Sequence, residues 1–480
     1  MKRIIFLVLS FIFFLIVSAR SQVFKSSGMQ NAGYSVYAID AETGRVIFET
    51  PQVSLVPASV MKVITTAAAL EILGPDFRFH TQVGYNGQIV AEKGLLDGDL
   101  VLRGGCDPAF YSEYFSEYYK GTFESWAKAL DRKGIRSING DLIVDLSNFD
   151  GFSVPGGWVW EDIGNYYGAG VSSLSYSDNL YRIHFSSAGD SGKPVTISSI
   201  SPAIDSLRLI NKVLSANSNR DLTVVYGAPG SFSQIIEGTI PKGASDFVVK
   251  ASIPDPARCA AIEFIKVLKS SGIKLSGKIL TVSHLKESDF NPIAEKESPV
   301  LRELIVPLNH ESLNLFAEHL LLEIGRARKG VPDLAVSVAA LKEFWTEKKV
   351  FIDGFYPTDG SGLSRSNGIC SRTLAEVLRY MYLGSNRDYY FNSLPVAGKS
   401  GTLQYAFKGT KLENNLCAKT GSMTRVRSLA GIFANASGKA VIFSIITNNF
   451  EGTQTETGHS IEELINELYT LDATPAGPDK

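Results

Sequence analysis

The sequence predicts a mixed α/β fold of the α+β kind, in which one domain is split by a long insertion. Two observations carry that expectation. A strand hairpin and an apolar helix open the chain while three strand-like runs and an amphipathic helix close it, and the middle has a different, strand-rich texture. With 480 residues, 44% of them hydrophobic and 20% charged, the chain has material for two or three cores.

The elements follow in order. Met1-Lys2-Arg3, an apolar run from Ile4 to Val17 broken only by Ser10, and small residues at Ser18, Ala19 and Ser21 read as a secretory signal peptide over 1–21. The run falls short of the ~20 apolar residues a spanning helix needs, so an uncleaved anchor is the lesser alternative. The mature protein is therefore expected in the periplasm or the extracytoplasmic envelope, with at most peripheral membrane association. Tyr34 to Ile39 and Arg45 to Glu49 form two strands joined by a polar turn that ends in Gly44. Pro57 then precedes a helix from Ser59, closed by Gly74-Pro75.

From about 84 to 290 the chain is rich in strands and echoes itself. A helix followed by Gly134 to Val144 resembles a later helix followed by Gly272 to Val282, which predicts two copies of one helix–strand unit. Between them, residues 179–251 alternate short strands with polar turns. The expected organisation is a main domain of 22–83 and 286–480, an inserted domain of 84–178 and 252–285, and a β-rich domain of 179–251.

From Pro299 a helical period returns, with a break at Asn309-His310 and a second helix from Leu313 to Ile324 ended by Gly325. Leu416 to Thr420, Arg427 to Ala434 and Lys439 to Thr447 read as consecutive strands. A last helix runs from Ile461 to Tyr469, its apolar face suited to a sheet and its acidic face unsuited to an anionic membrane.

A net charge of -2, with no basic run, argues against nucleic-acid binding. Cys106, Cys259, Cys370 and Cys417 allow up to two disulfides but read better as buried thiols, and the six scattered histidines make no metal-ligand pattern. No cofactor is expected.

The chemistry rests on serine and lysine. A serine hydroxyl needs a neighbour to take its proton, and a lysine three residues on shares its helix face, as in Ser59-Val60-Met61-Lys62. A second cation would help keep that amine neutral, and Lys419 is the residue expected to supply it. The pattern alone is weak, since Ser-x-x-Lys occurs at 59, 125, 271 and 283, and Ser-x-Asn at 137, 177, 215 and 312. Lys399-Ser400-Gly401 competes with Lys419-Thr420-Gly421. Context decides among them. Ser59 alone follows a hairpin and opens an apolar helix, Ser312-Leu313-Asn314 lies between two helices, and Lys419 lies on a strand. Ser125 sits on an ordinary amphipathic helix, and Ser177-Asp178-Asn179 belongs to the insertion.

Ser-x-x-Lys, Ser-x-Asn and Lys-Thr-Gly in this order, with a long insertion between the first two, resemble the low-molecular-mass class C penicillin-binding proteins, the D-Ala-D-Ala carboxypeptidase/endopeptidase family. Tyr166 to Ala169, Leu174 to Asn179, Pro254 to Ala257, Asp359 to Arg365 and Leu394 to Gly398 extend the likeness. The resemblance implies a transpeptidase-like domain with an antiparallel five-stranded sheet flanked by helices. It implies Ser59 as nucleophile, Lys62 as base and Ser312 as proton relay. Asn314, Lys419, Thr420, Gly421 and Ser422 would bind substrate, with the N–H groups of Ser59 and Ser422 as oxyanion hole. Asp359, Ser361 and Arg365 would lie near the cleft without a catalytic role. The ligands implied are peptidoglycan peptides and β-lactams. One departure is Cys106, where the family commonly has a third glycine after Gly104-Gly105. A β-lactamase-like hydrolase and a silent wall-binding scaffold are the alternatives.

Overall fold

The computed structural model describes residues 23–471, so the leader expected over 1–21 lies outside the described residues. Strands β1 (Gly33–Asp40) and β2 (Val46–Glu49) pair antiparallel. Their turn closes on Asp40, whose carboxylate accepts from the backbone N–H groups of Glu42 and Thr43 and from the Thr43 hydroxyl. A 3-10 turn over Ala58–Val60 leads into helix α1 (Met61–Leu73), which stops at Gly74. Every residue of α1 from Met61 to Leu70 is buried, including Lys62, Thr65 and Thr66. A helix apolar on nearly every side has to sit inside a domain, and this one packs among the later helices, chiefly Asn314–Lys329 and Ser371–Leu383.

The insertion begins with the antiparallel pair His80–Val90 and Leu95–Arg103, part of a seven-stranded sheet. Its helices α2 (Thr122–Arg132) and α3 (Pro256–Ser270) are the helices of the two echoed units. The strands that follow them lie side by side and parallel, Ser137 opposite Lys274 and Leu142 opposite Ile279, so the sequence echo is a spatial pairing in one register. Between the copies stand two three-stranded sheets around Tyr181, Ile183, Phe185, Val213 and Ile236.

Helix α4 (Leu301–His310) contains Pro307 and runs through the expected break at Asn309-His310. The turn comes two residues later, at Ser312, which has a φ of 61°. Helix α5 (Asn314–Lys329) also runs past its expected stop. A Cβ on Gly325 would collide with Ser337 Oγ, so this glycine permits a close helix–helix approach, and the left-handed Gly330 ends the helix instead.

Strands β3 (Cys417–Met423), β4 (Val426–Ala434) and β5 (Ala440–Asn448) complete an antiparallel five-stranded sheet in the order β3-β4-β5-β1-β2. Both ends of the chain thus share one sheet. Alternation along the strands supplies both its faces: Ile39, Ile442 and Ile446 meet the α1 side, while Val36, Phe443 and Ile445 meet helix α6 (Gln454–Thr470). Helix α6 begins seven residues before Ile461 because Thr453 and Glu456 form a reciprocal capping box ahead of its apolar stripe.

All four cysteines are free thiols, three of them buried. Cys106 takes a φ of 56°, a left-handed conformation that suits glycine better. Among the described residues no helix is long and apolar enough to cross a membrane.

Candidate active site

The site forms where α1, the α4–α5 junction, the turn over 359–364 and β3 meet. Ser59 sits in the 3-10 turn just before α1, after Ala58 at a φ of 51°. Two neighbours hold that turn. Ser428 Oγ of β4 donates to Pro57 O at 2.5 Å, and Gly362, at a φ of 84°, lies so close to Ala58 O that a Cβ would overlap it. A side chain on Gly421 would likewise crowd Pro57 O and Ser59 N, so glycine lets β3 lie directly against the turn that carries Ser59.

One helical turn on, Lys62 is fully buried, with Nζ 3.1 Å from Ser59 Oγ, 2.6 Å from Asn314 Oδ1 and 2.8 Å from Ser361 O. These contacts fit a neutral amine. In its neutral form the amine can give its two N–H bonds to the amide and carbonyl oxygens, which leaves the lone pair for the serine hydroxyl. Burial lowers Lys62 from 10.5 to about 7, against the opposing pull of Asp359 and Glu318.

Lys419 on β3 is also fully buried, and burial first, then Lys62, holds it well below its ordinary value. At Lys62 the lowering comes from burial, and the second cation expected to help is not among its causes, whereas Lys62 does lower Lys419. Lys419 Nζ donates to Ser312 Oγ at 3.0 Å and to Thr420 O at 2.9 Å. Thr420 Oγ1 donates to Thr402 Oγ1 at 2.8 Å, so the loop after Lys399-Ser400-Gly401 borders the site without being its strand. Asn314 Nδ2 donates to Tyr167 O at 2.7 Å, bringing the inserted chain to the cleft. Ser422 is exposed, its Oγ 3.2 Å from Gln454 Oε1. A cavity of about 370 Å³ opens beside Ser312 and Asn314, rimmed by Tyr114, Tyr166, Tyr167 and Glu311.

The structure thus gathers Ser59, Lys62, Ser312, Asn314, Lys419, Thr420 and Gly421, with Ser422 at the strand's outer end. The decoys lie elsewhere. Ser125 Oγ bonds back to Thr122 O on α2, Ser271 caps α3, and Asp178 is committed to Ser112 Oγ and the Glu113 N–H.

One acid escaped the motif reading, and another was expected near the cleft without a catalytic role. Asp359, fully buried, accepts from Gly362 N, Ser364 N, Asn367 Nδ2 and Trp158 Nε1. Glu318 is also buried and touches the same turn. An acid within the apolar stretch Leu313 to Ile324 was the signal available for Glu318. Away from the cleft, His80, Glu295 and Glu297 cluster on the exposed surface, but Gln82 and Arg78 already engage the two acids.

The model of the D-Ala-D-Ala carboxypeptidase 3 (S13) family matches residues 21–470. A D-alanyl-D-alanine carboxypeptidase of Actinomadura sp. (strain R39) is 28% identical over 444 residues, covering 90% of this chain and 80% of its own. D-alanyl-D-alanine carboxypeptidase DacB of Haemophilus influenzae is 26% identical, covering 86% of each chain. Penicillin binding protein 4 of Haemophilus influenzae superposes with a TM-score of 0.80 at 25% identity, covering 95% of this chain and 99% of that one. The same protein complexed with a β-lactam superposes at 0.76.

Proposed function

This chain belongs to the D-Ala-D-Ala carboxypeptidase 3 (S13) family, and from that membership we propose a serine-type D-Ala-D-Ala carboxypeptidase and DD-endopeptidase with Ser59 as its nucleophile. The observation that carries the reading is the buried Lys62 amine, 3.1 Å from Ser59 Oγ, with Asn314 Oδ1 and Ser361 O as its other contacts. Such an amine accepts a proton near neutral pH.

In the proposed reaction Ser59 Oγ adds to the carbonyl between two D-alanines as its proton passes to Lys62 Nζ. The oxyanion lies against the N–H groups of Ser59 and Ser422. Ser312, between Lys419 and the cleft, gives its proton to the leaving amine as the C–N bond breaks and takes in its place the proton that Lys62 received from Ser59. Lys419 and Thr420 hold the terminal carboxylate, and Asn314 holds the acyl chain. Water then adds to the ester and releases Ser59. A β-lactam acylates the same serine and leaves slowly. The substrates are peptidoglycan stem peptides and cross-links, met outside the cytoplasm after removal of 1–21. The domain reading of 22–83 with 286–480, 84–178 with 252–285, and 179–251 goes with this proposal.

The test is labelling of the mature protein with a fluorescent penicillin, followed by peptide mapping, with Ser59→Ala as control. Label on the Ser59 peptide, absent from the variant, is expected. Rapid turnover of a chromogenic β-lactam would favour a β-lactamase-like hydrolase, and a folded protein that takes no label would favour a wall-binding scaffold.

A further inference from the structure

Helix α5 presents two polar side chains to the catalytic lysine from one face. Asn314 and Glu318 are four residues apart and project together. Asn314 contacts Lys62 directly, whereas Glu318 reaches past it to the turn over 359–364. There Gly360 N donates to Glu318 Oε2 at 3.0 Å and Ser361 N donates to Oε1 at 2.8 Å. Thr65 of α1 holds the same turn from the other side, donating to Gly360 O at 2.7 Å. The carbonyl of the residue so clamped, Ser361, accepts from Lys62 Nζ at 2.8 Å.

Glu318 is 1% exposed and has no ion-pair partner among the described residues. A carboxyl buried without a cation costs folding free energy, so its presence beside the nucleophile's base calls for a reason other than stability. Building on the proposed role of Lys62, we propose that Glu318 is a positioning residue for it, clamping the Gly360–Ser361 backbone so that the Ser361 carbonyl stays aimed at Nζ. With that acceptor in place, the lone pair can only face Ser59. If the carbonyl drifts, the amine gains a free N–H and rotates away from the hydroxyl.

The charges facing Lys62 come from three directions: Glu318 on α5, Asp359 in the turn and Lys419 on β3, with Glu311 beyond Lys419. Burial first, and then Asp359, raises Glu318 to about 8, so its carboxyl keeps its proton over much of the neutral range. Ionised Glu318 favours the protonated form of Lys62. Because Glu318 still holds its proton where Lys62 titrates, a neutral amide in its place leaves the Lys62 limb near 7.

The experiment measures single-turnover acylation by a fluorescent penicillin on the full mature chain across neutrality, alongside thermal melts. Glu318→Ala should lower the plateau rate by about tenfold to a hundredfold through misplacement of the base. Glu318→Gln, which keeps one acceptor and matches the protonated carboxyl in charge, should recover part of that rate and leave the acid limb in place. Thr65→Val loosens the same turn without touching a charge; it should lower the plateau and leave the limb in place. If Glu318→Ala does not fold, Glu318→Gln and Thr65→Val carry the test. Unchanged plateaus in Glu318→Ala and Thr65→Val overturn the positioning role. Failure of the wild-type protein to label at Ser59 would instead overturn the functional reading it rests on.

Discussion

Two helices of this protein carry the same Ser-x-x-Lys pattern, at the start of α1 and within α2, and they differ in everything around it. On α2, Ser125 and Lys128 are exposed, the serine hydroxyl bonds back to Thr122 O, and Trp126 and Leu130 face the core. That is an ordinary amphipathic helix. At α1, Lys62 is fully enclosed, and its partners come from Asn314 and Ser361, far away in the chain. Spacing puts a lysine near a serine in both places. Only the second place removes water from the amine and supplies acceptors for its hydrogens.

The sharpest way to break the comparison is to remove the lysine that is enclosed. Lys62→Ala should cut the rate of Ser59 acylation by about 10²–10⁴-fold, the usual worth of a general base. In the wild-type protein acylation should rise with pH through about 7, because the amine must lose its proton before it can accept one from serine. Stopped-flow acylation at a series of pH values checks both. A flat profile through neutrality would mean that another group takes the proton.

A smaller effect separates the site's support from its chemistry. Trp158, from the inserted chain, donates Nε1–H to the buried Asp359 at 2.9 Å. Trp158→Phe leaves that acceptor one donor short and should cost about 1–3 kcal/mol of stability, read from denaturant melts. Acylation at saturating β-lactam should fall far less than in Lys62→Ala, because Lys62 and its three partners remain.

What the sequence made legible follows the same divide between local and distant. The β1–β2 hairpin, α1 and strands β3 to β5 are written in alternation, apolar runs and turn residues, and the echoed units appear directly as a parallel pairing. Helix ends were harder. Gly325 looks like a stop, yet it serves a helix–helix contact with Ser337, a fact about another helix. The first turns of α6 lack an apolar period, and Thr453 with Glu456 was the cue for its start. In the site, the three motifs could be ranked by context, and the structure gathers the chosen members of each around Lys62. Glu318 could not be ranked, because its significance lies in which backbone atoms it meets after folding.

The smallest expected effect completes the comparison on the α2 side. Lys128 shares the spacing of Lys62 but lies on the exposed face, with no side-chain hydrogen bond or ion pair among the described residues. Lys128→Ala exchanges one solvated helix former for another, so stability should stay within about 0.5 kcal/mol of wild type. Penicillin labelling and its pH profile should be unchanged. Double labelling of the wild-type protein, mapped by peptide, should find no adduct at Ser125, because the hydroxyl there has water and Thr122 O as neighbours and no neutral amine. An adduct at Ser125 that disappears in Lys128→Ala would mean that spacing alone suffices to activate a serine, and the burial of Lys62 would lose its explanatory role.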